Sequence, residues 1–162
     1  MKLYSWNVNG VRAALKKDFR NWFQDRDADA VLLQETKAEP EQVSPEDREP
    51  TSYQAFWNAS KKRKGYSGVA SFCRGDILSH STGLPHEAYQ GEGRSILVEY
   101  EAFYLFNIYF PNGQKDDERL TYKLGYYDAF FDYAQELRAK KPIVVGGDFN
   151  TAHKPIDLAR PK

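Results

Sequence analysis

Cysteine is nearly absent from this 162-residue chain. Cys73 is the only one, so no intrachain disulfide can form. A reducing, cytoplasmic setting is the simpler expectation. Net charge is also absent: 23 Lys and Arg balance 23 Asp and Glu. The overall composition therefore lacks the basic excess common in nucleic-acid-binding domains, and local charge has to decide. No apolar run is long enough to span a bilayer. Met1-Lys2-Leu3-Tyr4-Ser5-Trp6-Asn7 enters a strand-like pattern at once, without the charged-then-apolar order of an export signal. No membrane association is expected. There is no internal repeat and no low-complexity tract. There is also no Cys/His cluster, which argues against a zinc site.

Hydrophobic residues make up 41% of the chain and aromatic residues 15%, enough for one globular domain with a real core. Residues 2–8 read as a strand. Val11, Leu15, Phe19, Trp22 and Phe23 recur at helical spacing, predicting one helix over Val11–Arg26. Ala30-Val31-Leu32-Leu33 is a continuous apolar run, expected of a strand covered on both faces. The Glu- and Pro-rich stretch Ala38–Pro50 reads as a surface loop with one short helix. Tyr53–Trp57, Gly68–Cys73 and Ile77–Ser81 read as strands, and Gly83–Gly93 as a loop. Ser95–Tyr100 and Phe103–Phe110 suit a hairpin. Asp117–Ala139 reads as a long helix with apolar positions at Leu120, Leu124, Tyr127, Phe130, Phe131 and Leu137. Pro142–Val145 is the last predicted strand, and Gly146–Lys162 reads as loop. Strands mixed with helices give an α/β class with a mixed sheet.

Four polar motifs follow four predicted strands. They are Ser5-Trp6-Asn7-Val8-Asn9-Gly10, Leu33-Gln34-Glu35-Thr36-Lys37, Asn107-Ile108-Tyr109-Phe110-Pro111-Asn112-Gly113 and Gly146-Gly147-Asp148-Phe149-Asn150. In open α/β sheets ligands bind at the carboxyl ends of strands. Strand ends on one side of the fold would bring all four motifs into one cleft. Glu35 and Asp148 offer hard carboxylate oxygens, and Asn7 and Asn150 add amide oxygens. That set suits Mg²⁺ or Mn²⁺, which keep several waters and bind a substrate phosphate. Asp148 can accept a proton from water, Tyr109 can donate to a phosphorane oxygen, and the asparagines can orient water or phosphate. Plain readings exist for each residue. Asn7 and Asn9 can simply shape the turn before the first helix, with Asn9 as N-cap. Tyr109 can be a core aromatic with its hydroxyl at the rim. Asp148 and Asn150 beside two glycines can form a turn. Gly-Gly-Asp-Phe-Asn is the hardest to explain that way. The basic run Lys61-Lys62-Arg63-Lys64 reads more readily as a solvated loop than as a binding site.

In order and wording, the segments Ser5–Ala13, Leu33–Lys37, Lys64–Ala70, Glu92–Arg94, Tyr109–Gly113 and Gly147–Ala159 resemble the exonuclease III / apurinic-apyrimidinic endonuclease family. The resemblance runs from Lys2 to Lys162. It implies a hydrolase of double-stranded DNA using Mg²⁺ or Mn²⁺. Such enzymes cut 5′ to abasic sites, or remove 3′ nucleotides and blocking groups. It implies Glu35 as principal metal ligand with Asn7, Tyr109 as the active-site tyrosine, Asp148 as the carboxylate that positions or deprotonates water, and Asn150 as its companion. Asn9 stands where many relatives carry Asp, and Asn112 matches a phosphate-holding asparagine. Arg12, Ala13 and Lys17 resemble DNA-backbone contacts at a helix N-terminus, and Gly65 and Tyr66 a second contact.

Family members are about a hundred residues longer. The resemblance therefore implies the N-terminal portion, residues 1–162, of an endonuclease/exonuclease/phosphatase-type domain. Its expected form is half of a four-layer α/β sandwich, with the C-terminal sheet and a late Asp-His pair lying beyond it. A sheet face left bare by that split would favour self-association of the fragment, whereas the intact enzyme is not expected to oligomerise. Two further readings stand beside this one: a non-catalytic DNA-binding fragment, and a small-molecule phosphoesterase of the same superfamily.

Overall fold

The computed structural model describes residues 1–158. Residues 159–162, the end of the predicted loop Gly146–Lys162 and of the resemblance, lie outside them. In chain order the elements are β1 (Leu3–Asn7), α1 (Val11–Leu15), α2 (Phe19–Arg26), β2 (Ala30–Gln34), α3 (Pro45–Arg48), β3 (Gln54–Asn58), β4 (Val69–Cys73), β5 (Ile77–Thr82), β6 (Ser95–Tyr100), β7 (Tyr104–Tyr109), α4 (Asp117–Arg138) and β8 (Ile143–Asp148). Among the described residues no helix is long and apolar enough to cross a membrane.

The strands form two four-stranded sheets, ordered β1-β2-β4-β3 and β5-β6-β7-β8. Both are mixed. β1 runs parallel to β2 with Asn7 opposite Gln34, and β7 runs parallel to β8 with Tyr109 opposite Asp148. The other pairings are antiparallel, including the expected β6–β7 hairpin. The sheets pack face to face: Ala30, Leu32, Val69 and Cys73 of the first meet Ile96, Val98 and Leu105 of the second. Burial here pushes the Cys73 thiol up to about 11, which keeps it unreactive at neutral pH. On the outer face of the first sheet, Val11, Ala14, Phe19 and Phe23 cover Val31, Leu33, Ala70 and Phe72. On the outer face of the second, Tyr126, Phe130 and Leu137 of α4 cover Leu97, Phe106 and Ile108.

The α/β class with mixed sheets and flanking helices therefore stands, but the expectation that the second sheet lies beyond these residues is corrected. All four layers, helix, sheet, sheet and helix, are present within these residues. Among the described residues the predicted bare sheet face is not found, because the chain leaves the first sheet after β4 and builds the second against it. Among the described residues each sheet keeps two open edges, β1 and β3 in the first and β5 and β8 in the second.

Three element expectations also change. The helix over Val11–Arg26 breaks into α1 and α2. The break falls at Lys16-Lys17-Asp18, where no apolar side chain holds the turn to the sheet. In α4 the sheet-facing stripe runs through Tyr126, Phe130 and Leu137, at helical spacing. Leu120, Leu124 and Phe131, predicted apolar positions, lie off that stripe and are exposed. Finally, β8 continues through Gly146, Gly147 and Asp148, residues read from sequence as loop. Glycine permits this continuation. Gly147 has φ +157°, and a Cβ there would sit 1.9 Å from the Ile108 carbonyl oxygen. Gly147→Ala is expected to cost about 1–3 kcal/mol, the range for a forced overpacking, as a lower urea midpoint at unchanged slope.

Candidate active site

The carboxyl ends of β1, β2, β7 and β8 converge. Asn7, at the end of β1, is the centre of that convergence. Its Nδ2 donates to Glu35 Oε1 at 2.9 Å and to Asp148 Oδ2 at 2.7 Å. One side chain thus joins residues 28 and 141 positions away. Asp148 Oδ1 also accepts the Asn150 backbone N–H at 2.8 Å, and Asn150 Nδ2 donates to the Phe110 carbonyl at 2.8 Å. Lys123 fixes the same loop by donating to the Asn150 carbonyl at 2.7 Å. Ser5, Asn7, Asp148, Asn150 and His153 line one open cleft.

Backbone strain concentrates here. Asn9, Glu35, Lys37 and Asn150 all have positive φ, between 46° and 52°. Asn tolerates that region, whereas Glu and Lys rarely enter it. The turn carrying Glu35 is held by its neighbours: the Gly10 N–H donates to the Glu35 carbonyl at 2.7 Å, and the Lys37 N–H to the Ser67 carbonyl at 2.9 Å. The side chain of Lys37 sits 2.8 Å from Glu35 Oε2 and also donates to Asn9 Oδ1. Burial raises the Glu35 carboxyl, but hydrogen bonds from Asn7, Lys37 and Tyr109 outweigh it and hold it below the ordinary range. Burial, then the Glu35 charge, push the Tyr109 hydroxyl up to about 12. Tyr109 is therefore a proton donor across the neutral range.

The predicted backbone-binding residues divide. Arg12, Ala13 and Gly65 share a groove with Gly10, Lys16 and Lys37, and an Arg12 guanidinium nitrogen lies 3.4 Å from the Lys37 carbonyl. Lys17 lies outside that groove, on a neighbouring hollow that shares Ala13 with it and is lined by Trp6, Phe19 and Trp22. Asn112 is exposed and closes its own turn by accepting the Gln114 N–H at 2.9 Å. The Tyr66 hydroxyl is bound inward, accepting from Arg94 Nη2 at 2.8 Å and Arg119 Nη2 at 2.9 Å.

That last contact belongs to a buried ionic cluster that sequence reasoning did not place. Arg94 Nε donates to Glu92 Oε2 at 2.6 Å, and Arg119 approaches the same oxygen at 2.9 Å. Arg94 Nη1 donates to the Tyr109 carbonyl at 3.1 Å, and its guanidinium carbon lies 4.8 Å from the Tyr109 ring centroid. The Glu-Gly-Arg motif was the available signal; nothing in the sequence around Arg119 marked it. Lys37, also missed as a site residue, lies inside the second motif.

The donor set can be tested for a divalent ion on this geometry. Among the described residues no group of three or more His, Cys, Asp or Glu side chains is placed to hold a metal. Two carboxylates do face each other across Asn7, and the amide hydrogens neutralise lone pairs that a cation would otherwise claim. Hard oxygens from one or two carboxylates, with water and phosphate completing the shell, suit Mg²⁺. The residues fit such an ion, with the Lys37 contact and the Asn7 hydrogen bond to Glu35 as the interactions that would have to yield.

Two packed mixed sheets between helix layers, with polar residues from four strand ends gathered together, define an α/β sandwich with a polar cleft at its strand ends. The sequence matches the model of the Endonuclease/Exonuclease/phosphatase family over residues 4–162, and the chain belongs to that family. It is 42% identical over 163 aligned residues to an exodeoxyribonuclease of Bacillus subtilis, covering all of this chain and 63% of that protein. It is 40% identical to the DNA repair nuclease APEX1 of Danio rerio, covering all of this chain and 53% of that protein. Among solved structures, a 3′ phosphatase NExo from Neisseria bound to product DNA hairpin superposes with a TM-score of 0.86 at 25% identity, covering 99% of this chain and 62% of that one. An AP endonuclease from Archaeoglobus fulgidus gives 0.83 at 29% identity, with the same coverage. The chain spans less than two thirds of the length of these relatives.

Proposed function

We propose that this site hydrolyses phosphodiester bonds in duplex DNA with the help of Mg²⁺ or Mn²⁺, cutting 5′ to abasic sites or removing 3′ nucleotides and blocking groups. The observation that carries the reading is Asn7 joining Glu35 and Asp148 beside Tyr109, whose hydroxyl stays protonated. Relatives named as an exodeoxyribonuclease and a DNA repair nuclease support the choice of DNA.

In this reading Glu35, with Asn7, Asp148 and Asn150 at its side, would hold the ion. The bound ion supplies Lewis-acid neutralisation of the phosphate charge. Asp148 accepts the proton of the attacking water. Its Oδ1 is fixed by the Asn150 N–H and its Oδ2 by Asn7, so its orientation is set before substrate arrives. Tyr109, held protonated, donates to a non-bridging oxygen where negative charge grows. The groove of Arg12, Ala13, Lys16 and Gly65 accepts backbone phosphates, which position the duplex without reading sequence. We assign Asn9 and Asn112 supporting roles at the rim, Lys17 a looser phosphate contact, and Tyr66 a wall of the DNA-facing side.

The test is incubation of residues 1–162 with an abasic-site duplex and Mg²⁺. Nicking 5′ to the abasic site, abolished by EDTA, is expected, at a rate far below that of the Bacillus relative. Cleavage indifferent to EDTA overturns the metal reading, and faster turnover of a soluble phosphodiester overturns the DNA reading.

A further inference from the structure

The apolar layer between the two sheets carries a buried polar patch near the cleft. Gln34 of β2, Ser71 of β4 and Asn107 of β7 are 1%, 0% and 0% exposed. Asn107 Nδ2 lies 2.8 Å from the Ala70 carbonyl, 3.1 Å from Ser71 Oγ and 3.2 Å from the Leu33 carbonyl. Its Oδ1 accepts from Gln34 Nε2 at 2.8 Å. Every one of these partners belongs to the opposite sheet. Gln34 Nε2 also lies 3.1 Å from Ser5 Oγ at the cleft.

Apolar side chains tolerate small sliding of one sheet over another; buried amides do not. A displacement that breaks these bonds leaves donors and acceptors unpaired in a dry layer, at high cost. The patch therefore selects one offset between the sheets. The site depends on that offset, because Asn7 and Glu35 come from the first sheet and Tyr109, Asp148 and Asn150 from the second. The link is short along the chain. Glu35 directly follows Gln34. Tyr109 lies two residues after Asn107 and Asn7 two after Ser5, on the same strand faces.

We infer that the Gln34–Asn107 amide pair is the lock that sets the offset of the two sheets and so places Tyr109 and Asp148 against Asn7 and Glu35. Both are positioning residues. The inference rests on the proposed site, but its test does not require cleavage.

Tyrosine labelled with ¹³C at Cζ reports the hydroxyl environment, and Tyr109→Phe assigns the Tyr109 signal. In the otherwise unchanged chain, Glu35→Gln is expected to move that signal. With Asn107→Leu in place, the same response is expected to fall about threefold or more, while far-UV circular dichroism shows the fold retained. Ser71→Ala, which removes only one of the partners, should leave the response intact. A full response in Asn107→Leu overturns the lock and leaves the pair merely structural. Should Asn107→Leu not fold, Gln34→Leu replaces it under the same criterion. Failure of residues 1–162 to cleave DNA would count against the catalytic reading while leaving this response, and the lock, untouched.

Discussion

Arg94→Ala is expected to destabilise the fold by about 3 kcal/mol, the lower end of what breaking a buried ion pair costs. Arg94 is 2% exposed at the side chain and meets Glu92, itself 9% exposed. Its removal strands part of a buried carboxylate, a tyrosine hydroxyl and the Tyr109 carbonyl. The cost stays at the lower end because Arg119 remains to neutralise Glu92 and to donate to Tyr66. For a chain of this length, about 3 kcal/mol lowers the thermal midpoint by about 6–12 °C. Lys115→Ala is the control: its pair with Asp116 is exposed, so little change is expected. A midpoint for Arg94→Ala equal to that control would show that the cluster contributes nothing net.

The same cluster predicts an acid limit. Burial raises the Glu92 carboxyl, but hydrogen bonds and charge from Arg119 and Arg94 more than offset this and hold it below its ordinary value. A carboxyl depressed in the folded state contributes stability that is complete above its unfolded pKa, about 4.3. That contribution is lost as pH falls through the lower, folded value. Melting followed from pH 7 down to pH 3 should show the loss beginning below about pH 4.5. Glu92→Gln should flatten that part of the curve while lowering stability at neutral pH.

How much of this was legible in the sequence depends on the reach of each signal. Strand cores and the β6–β7 hairpin were plain, since Ala30-Val31-Leu32-Leu33 and the paired apolar runs carry short-range patterns. Convergence of the four motifs followed from strand polarity, and Asn7, Glu35 and Asp148 do meet. Sheet count was not legible, because the step from β4 to β5 looks like any other turn; packing energy, not local pattern, assigns β5 to a new sheet. The face of α4 was misjudged for a related reason. Leu124 is more apolar than Tyr126, yet Tyr126 fits the sheet and Leu124 is 55% exposed. Hydropathy ranks residues singly, whereas burial depends on the angle each takes around the helix. The polar residues inside apolar strands, Gln34 in AVLLQ and Asn107 in YLFNIY, were visible as exceptions. Their meaning needed the partner sheet, which no one-dimensional pattern supplies.

Asp148→Asn is expected to lower metal-dependent cleavage by about 10²–10⁴-fold, the usual contribution of a positioned general base. The substitution changes more than one proton acceptor. Asp148 accepts from two donors at once, Asn7 Nδ2 and the Asn150 N–H. An amide has a single oxygen, so Asn at this position must turn its own NH₂ toward one of them. Turning the Asn7 amide in response would place its oxygen against Glu35, which now accepts from Asn7 at 2.9 Å. Glu35 then loses a bond that holds its carboxyl low, and its titration should move upward in the variant, as read by carboxyl ¹³C NMR. Duplex affinity should not weaken, since a negative charge has been removed from beside the phosphates. The combination is diagnostic: cleavage lost, binding kept or strengthened, Glu35 shifted up. Weakened duplex binding with cleavage per bound duplex unchanged would place Asp148 in the DNA contact surface and take the proton-accepting role away from it.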